Sequence, residues 1–175
     1  GAFVYEPTPG LYDDIMIFDF RSLYPTIITA HNIGPESLAC DCCKEKAKVP
    51  EQEEYWFCTN KKSFLSKVLE RLVLRRVDLK RLIKKTKEKG ESTSILDARS
   101  YALKTLANSF YGYLGFFGAR WYCIECARST TAYARDYIKR TIEKAKEKGF
   151  EVIYADTDSC FLLLGDKIKD EAMTF

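Results

Sequence analysis

The sequence predicts an α+β fold: a small, mainly antiparallel sheet with helices on one face. Three observations predict it. Strand-like apolar runs stand near both ends of the chain, at 15–19 and 152–164. Between them lie long segments whose apolar residues recur at helical spacing. The last run is split by a polar turn, Asp156-Thr157-Asp158-Ser159, so it folds back on itself as a hairpin. A length of 175 residues fits one domain, or one domain with a small insertion. The 46% hydrophobic content supplies a core, and 30% charge argues against disorder. No apolar run approaches the length of a membrane span, and the first residues do not read as a signal peptide.

Taken in order, residues 1–13 read as irregular, because Pro7, Pro9 and Gly10 interrupt any regular structure. Ile15-Met-Ile-Phe-Asp19 reads as a buried strand ending on an acid. Ser22 is placed to cap a helix from Leu23 to about His31, stopped by Gly34-Pro35. Residues 35–62 read as loop-rich and hold Cys40, Cys42, Cys43 and Cys58. From Ser63 to about Lys87, Phe64, Leu65, Val68, Leu69, Leu72, Leu79 and Ile83 trace a helical stripe. Lys89-Gly90 ends it, and Ser92 or Thr93 begins a second helix running to about Phe110. Two helices joined by a short polar turn form a helical hairpin. Gly118 to Cys123 reads as a short strand, and 124–148 as a helix stopped by Gly149.

Charge is unevenly spread. Residues 61–90 carry twelve Lys/Arg against Glu70, Asp78 and Glu88, a net of +9; with +3 for the whole chain, the remainder carries −6. A cationic arm on an otherwise acidic body suits a protein that grips a polyanion with one part and holds metal ions with another.

The acids carry the sharpest chemical signal. Asp156 and Asp158 are two apart, so extended backbone would point both to one face. Paired carboxylates repel unless a cation sits between them, and hard oxygen ligands suit magnesium. The alternative is that both acids only cap a turn. A third carboxylate, Asp19, stands where a strand ends and a helix begins, and the predicted sheet is able to bring it beside the hairpin.

Three segments together resemble family B DNA polymerases. Asp19-Phe-Arg-Ser-Leu-Tyr-Pro-Thr-Ile-Ile28 resembles the first polymerase motif of that family, Lys104-Thr-Leu-Ala-Asn-Ser-Phe-Tyr-Gly112 the second, and Tyr154-Ala-Asp-Thr-Asp-Ser159 the third. Their order and separations fit, and Gly115 to Cys126 looks like archaeal members. The resemblance implies a ferredoxin-like or RRM-like palm with an inserted antiparallel helical hairpin, the fingers. Residues 1–62 would be the N-terminal part of the palm with its Cys-containing loop, 63–112 the fingers, and 113–175 the C-terminal part of the palm. The implied reaction is nucleotidyl transfer from a dNTP to a primer 3′-hydroxyl on a DNA template, served by two Mg2+ ions.

Residue by residue, the resemblance makes Asp19 and Asp158 bridging metal ligands, Asp156 a ligand of the primer-side ion, and the Phe20 carbonyl a backbone ligand. Arg76 and Lys80, one helical turn apart, match phosphate-binding bases. Lys104 matches the lysine that contacts the triphosphate and protonates the departing pyrophosphate. Ser22 and Leu23 match backbone N–H donors to phosphate. Tyr24 matches the ring that excludes a 2′-hydroxyl, and Asn108, Tyr111 and Gly112 match residues lining the nascent base pair. Tyr111, Gly112 and Thr157 are the implied DNA contacts. Thr26 replaces the family's commoner Ser, and Ala155 stands where many eukaryotic members have Gly.

For the cysteines, spacing alone suggests Cys40-x-x-Cys43 and Cys123-x-x-Cys126 as halves of a four-thiolate zinc site. The resemblance implies disulfides instead, Cys43 with Cys58 and Cys123 with Cys126, as in heat-loving archaeal relatives. A local zinc site from Cys40, Cys42, Cys43 and Cys58 stays open beside disulfides or free thiols, which the resemblance favours. Cys160, on an apolar strand, reads as core packing.

The implied partners are primer–template DNA, dNTP, and the exonuclease and thumb regions of a longer parent, with no membrane; the implied location is the cytoplasm of an archaeal cell, at the nucleoid. As read, the sequence is a palm–fingers piece or one subunit of a split enzyme, weak or inactive alone. The alternative is a module that binds nucleic acid without catalysing synthesis.

Overall fold

The computed structural model describes residues 1–7, 9–44 and 48–165. In chain order the elements are β1 (Val4–Tyr5), β2 (Ile15–Asp19), α1 (Leu23–Ala30), a 3-10 turn (Asp41–Cys43), β3 (Lys48–Val49), β4 (Gln52–Trp56), α2 (Phe64–Glu88), α3 (Ser94–Gly115), α4 (Ile124–Glu147), β5 (Glu151–Asp156) and β6 (Ser159–Leu163). The chain divides into two compact units, Gly1–Leu23 with Thr131–Phe175, and Tyr24–Thr130.

The first unit is built on a four-stranded sheet of order β1-β5-β6-β2, antiparallel at every pairing. Ile138, Ile142 and Ala145 of α4 recur at helical spacing and are buried with Val152, Ala155, Cys160 and Leu162 of the sheet. Met16 and Phe18 of β2 pack against this cluster, whereas Ile15, Ile17 and Asp19 between them are exposed. That alternation defines an inner face and an open outer face. Gly149, at φ 75°, ends α4: its N–H donates to the Lys146 carbonyl, and the Phe150 N–H to that of Ala145. The left-handed conformation there suits glycine.

One irregularity sets the parity of β5. Val152 pairs with Leu162 and Tyr154 with Phe161, so Ile153 is an extra residue, a β-bulge. Without it, Val152 and Ala155 would face opposite ways, because side chains alternate along a strand. With it, both are buried, and Asp156 turns to the outer face.

In the second unit, Asn32 at φ 55° closes α1, and the Ile33 N–H donates to the Ile28 carbonyl. Asn tolerates this conformation better than most residues. The Asn32 amide donates to the carbonyls of Cys58 (2.6 Å) and Lys61 (2.9 Å), and its oxygen accepts from the Ser63 N–H (2.7 Å). The helix stop thus lies two residues before the expected Gly34. The Ser63 hydroxyl accepts from the Ser66 N–H and caps α2. Leu65 and Leu69 are buried near the start of α2, and Leu74 and Leu82 are exposed further along. Helix α3 returns antiparallel after a turn at Gly90, φ 74°. Thr93 stands at its start, with the hydroxyl on Asp97 (2.7 Å) rather than on a backbone N–H.

Four expectations are corrected. Residues 1–13 are not wholly irregular, since Val4 and Tyr5 pair with Asp156 and Ala155. Residues 35–62 contain the β3–β4 hairpin and a bridge between Leu38 and Phe57. Helix α3 continues to Gly115, carried past its glycines by the burial of Leu114. Gly118–Cys123 forms turns, not a strand. No helix is long and apolar enough to cross a membrane among the described residues.

Candidate active site

Register alone places the acids. Asp19 on β2 pairs with Ser159 on β6, Ser159 with Asp156 on β5, and Asp156 with Val4 on β1. Paired residues share a face, so Asp19, Ser159 and Asp156 form one outward row. Two strand spacings put the Asp19 and Asp156 backbones roughly 10 Å apart. Asp158 lies in the two-residue turn that follows, so extended backbone does not describe Asp156-Thr157-Asp158 as expected. Thr157 has φ 52°, and the Asp158 N–H donates back to the Asp156 carbonyl at 2.6 Å, a γ-turn. A β-branched residue in that region is strained. The turn is held from both sides: the Thr157 N–H donates to the Phe3 carbonyl (3.0 Å), and the Phe20 N–H to the Asp158 carbonyl (2.8 Å).

Hydroxyls dress the carboxylates. Ser159 donates to Asp19 Oδ2 at 3.2 Å, Thr157 to Asp156 Oδ1 at 2.8 Å, and Tyr154 to Asp156 Oδ2 at 3.3 Å. Burial, then the Asp156 charge, push the Tyr154 phenol above its ordinary pKa, which keeps it a donor. A hollow of about 260 Å³ lined by Phe18, Asp19, Phe20, Thr141 and Cys160 opens beside Asp19. Hard oxygen donors suit a divalent cation. Their oxygens do not form a closed cage: among the described residues, the one group of three or more ligating side chains with atoms within 4.8 Å of one another is Cys40, Cys42, Cys43 and Cys58. Sequence reasoning singled out Asp19, Asp156 and Asp158 but missed the roles of Ser159 and Tyr154. The two-residue spacing of Tyr154 and Asp156 was the available signal, since it puts both on one face of a strand.

The remaining residues of interest lie mostly in the second unit. The ring of Tyr24 on α1 packs at a tilt against that of Tyr111 of α3, with centroids 4.5 Å apart and planes at 35°. Leu23 is buried at the start of α1, and Ser22 before it has φ 52°. Lys80, Lys104 and Asn108 are exposed, and Arg76 is half-buried on α2. Gly112 is exposed within α3, with nothing within 4 Å of the place a Cβ would take.

The structure carries no disulfide bond among the seven cysteines. The thiol group of four is local, so the pairing of Cys40-x-x-Cys43 with Cys123-x-x-Cys126 suggested by spacing is replaced by Cys40, Cys42, Cys43 and Cys58. The Thr59 hydroxyl and N–H pull Cys43 down to about 6, and backbone N–H groups of Lys61 and Asn60 lower Cys58. Burial pushes Cys40 up to about 12, and hydrogen bonds to Cys43 and Cys58 raise Cys42. Cys123 and Cys126 lie 3.0 Å apart, the first lowered and the second raised by their shared hydrogen bond. Cys160 is buried in the core as expected.

A mixed α/β protein whose antiparallel sheet carries acids at a strained hairpin tip, and which has a basic two-helix arm, is the class these features define. A family model, that of DNA polymerase family B, matches residues 1–175, and the chain belongs to this family. It is 48% identical to a DNA polymerase of Thermococcus sp. (strain 9oN-7) and 42% identical to one of Pyrococcus glycovorans, each over 100% of this chain and 23% of the relative. A solved structure, the family B DNA polymerase from the hyperthermophilic archaeon Pyrobaculum calidifontis, superimposes with a TM-score of 0.71 at 36% identity, covering 97% of this chain and 22% of that one. The chain therefore spans under a quarter of the length of the relatives it matches.

Proposed function

We propose that this chain is the palm and fingers portion of a DNA-directed DNA polymerase, with 1–62 and 113–175 as a ferredoxin-like palm and 63–112 as fingers. The observation that carries the reading is the row Asp19–Ser159–Asp156, with Asp158 in the adjoining turn. Hard oxygen donors are the kind Mg2+ takes, and Asp19, Asp156, Asp158 and the Phe20 carbonyl would hold two such ions once their oxygens draw together from their open arrangement. When bound, such ions activate a primer 3′-hydroxyl and neutralise charge on the leaving pyrophosphate.

The chain's own residues do the rest. The γ-turn at Thr157 and the bond from Phe20 to Asp158 pre-set the acids, so little is reorganised when substrate arrives. In the second unit, Arg76, Lys80 and Lys104 bind the triphosphate, and Lys104 gives a proton to the leaving group. Backbone N–H groups at Ser22 and Leu23 hold phosphate oxygens. Tyr24 excludes a 2′-hydroxyl, its ring fixed by Tyr111, while Asn108, Tyr111 and Gly112 sense the shape of the new base pair. Primer–template DNA, dNTP and the parent's exonuclease and thumb regions are the partners, and DNA replication in an archaeal cytoplasm is the setting.

Single-nucleotide extension of a primer–template by the full-length protein, with and without Mg2+, tests this. Incorporation that depends on the metal and on Asp158 supports it. Duplex binding with no incorporation rejects it in favour of the non-catalytic binding module.

A further inference from the structure

We propose that Cys40, Cys42, Cys43 and Cys58 bind one structural Zn2+ ion. Two segments converge to make the site. Cys40, Cys42 and Cys43 lie on and before the 3-10 turn, and Cys58 follows β4. The convergence is built by the backbone: the Cys58 N–H donates to the Ser37 carbonyl (2.8 Å), the Ala39 N–H to that of Trp56 (2.9 Å), and the Trp56 indole to that of Cys40 (2.8 Å). These bonds seat the two strands of chain side by side, with their thiols turned to one point.

The sulfur spacing suits a tetrahedral ion. Four thiolates at the usual zinc–sulfur distance stand about 3.8 Å from one another. Here Cys42 Sγ is 3.6 Å from Cys43 Sγ and 3.7 Å from Cys58 Sγ, and all four lie within 4.8 Å of one another. A second, independent feature is the ring of donors aimed at sulfur. The Thr59 N–H (3.4 Å) and hydroxyl (3.3 Å) meet Cys43 Sγ, and the Lys61 N–H meets Cys58 Sγ at 3.3 Å. Four thiolates around a dication leave two negative charges, and such N–H···S bonds are what disperse them.

Softness and geometry select the metal class: four thiolates favour zinc over magnesium or calcium. Four protein ligands fill the coordination sphere, so no position remains for a reacting water and the role is structural. On entry of Zn2+ any protons held by the four thiols pass to the buffer. The ion ties the β3–β4 hairpin to the segment after α1, a closure between residues 16 apart in sequence. The site is independent of the polymerase reading and stands whether or not the chain extends a primer.

The test is metal analysis of the full chain, loaded with Zn2+ under reducing conditions, desalted and counted by plasma mass spectrometry, with Co2+ replacement read by visible absorption. About one zinc per chain and the intense bands of tetrahedral cobalt thiolate are expected. Cys40→Ser and Cys42→Ser should each weaken retention at least about tenfold, while Cys123→Ser and Cys160→Ser keep a full equivalent. Substoichiometric zinc in the unaltered chain, octahedral cobalt spectra, or a full equivalent retained by Cys42→Ser would overturn the site. So would a Cys43–Cys58 disulfide found by peptide mass spectrometry in the zinc-loaded, reduced protein.

Discussion

The Ser159 hydroxyl donates to Asp19 Oδ2 at 3.2 Å, although the two residues lie 140 positions apart. The bond exists because β6 is the shared neighbour of β2 and β5, so that the first and last acidic segments meet across a single strand. On the proposed function, everything catalytic in the first unit depends on that adjacency.

Asp158→Asn keeps the size of the side chain and leaves the backbone bonds to Phe20 and Asp156 intact. Magnesium-dependent incorporation by the full-length protein should fall on the order of a thousandfold or more, since a metal ligand supplies several kcal/mol of transition-state stabilisation. Primer–template affinity, measured by anisotropy, should change little. Turnover within tenfold of the parent would remove Asp158 from the metal site.

Tyr24→Ala removes both a proposed sugar gate and the tilted ring contact with Tyr111, worth about 0.5–1.5 kcal/mol beyond area burial. The informative readout is therefore a ratio. Discrimination between dNTP and rNTP, as relative kcat/KM, should drop by at least about tenfold. An unchanged ratio, whatever the loss in absolute rate, would reject the gate.

Gly112→Ala separates packing from ligand approach. A Cβ there meets nothing within the chain, and replacing glycine inside a helix should stabilise by roughly 0.5–1 kcal/mol. If a base pair lies against this glycine, primer–template affinity or extension should fall while Tm holds or rises. Gains in both would show that nothing approaches Gly112.

Asn32→Ala should cost about 2–4 kcal/mol, combining three lost side-chain hydrogen bonds with a left-handed backbone that alanine resists. Asn32→Gly should recover only the backbone share. Equal denaturant midpoints for alanine and glycine would show that conformation contributes nothing there.

Much of the fold was legible in local pattern. Strand β2, helices α1, α2 and α4 and the β5–β6 hairpin fall within one or two residues of their expected limits, because each has its own apolar period and its own stop. The misses share a cause. Two-residue β1 has no period to read and exists only through its pairing with β5. Residues 118–123 have strand-like composition but no strand partner, so they turn instead. Helix α3 outruns its glycines because Leu114 finds a buried site and its carbonyl accepts from the Cys123 N–H at 2.9 Å. Propensity yields where tertiary contact supplies more than the glycine costs.

By itself the sequence determined which residues are candidates for the proposed chemistry: the three acids in their motifs, the basic helical arm and the cysteine-bearing segment. Only the tertiary structure decided that the bulge at Ile153 turns Asp156 outward to share a row with Asp19, and that Cys58 joins Cys40, Cys42 and Cys43 rather than Cys123 and Cys126. The physical reason is range. Residue type and period act over one or two turns of chain, whereas strand parity and the meeting of distant side chains are set by which segments pair, and pairing is a property of the whole packed unit.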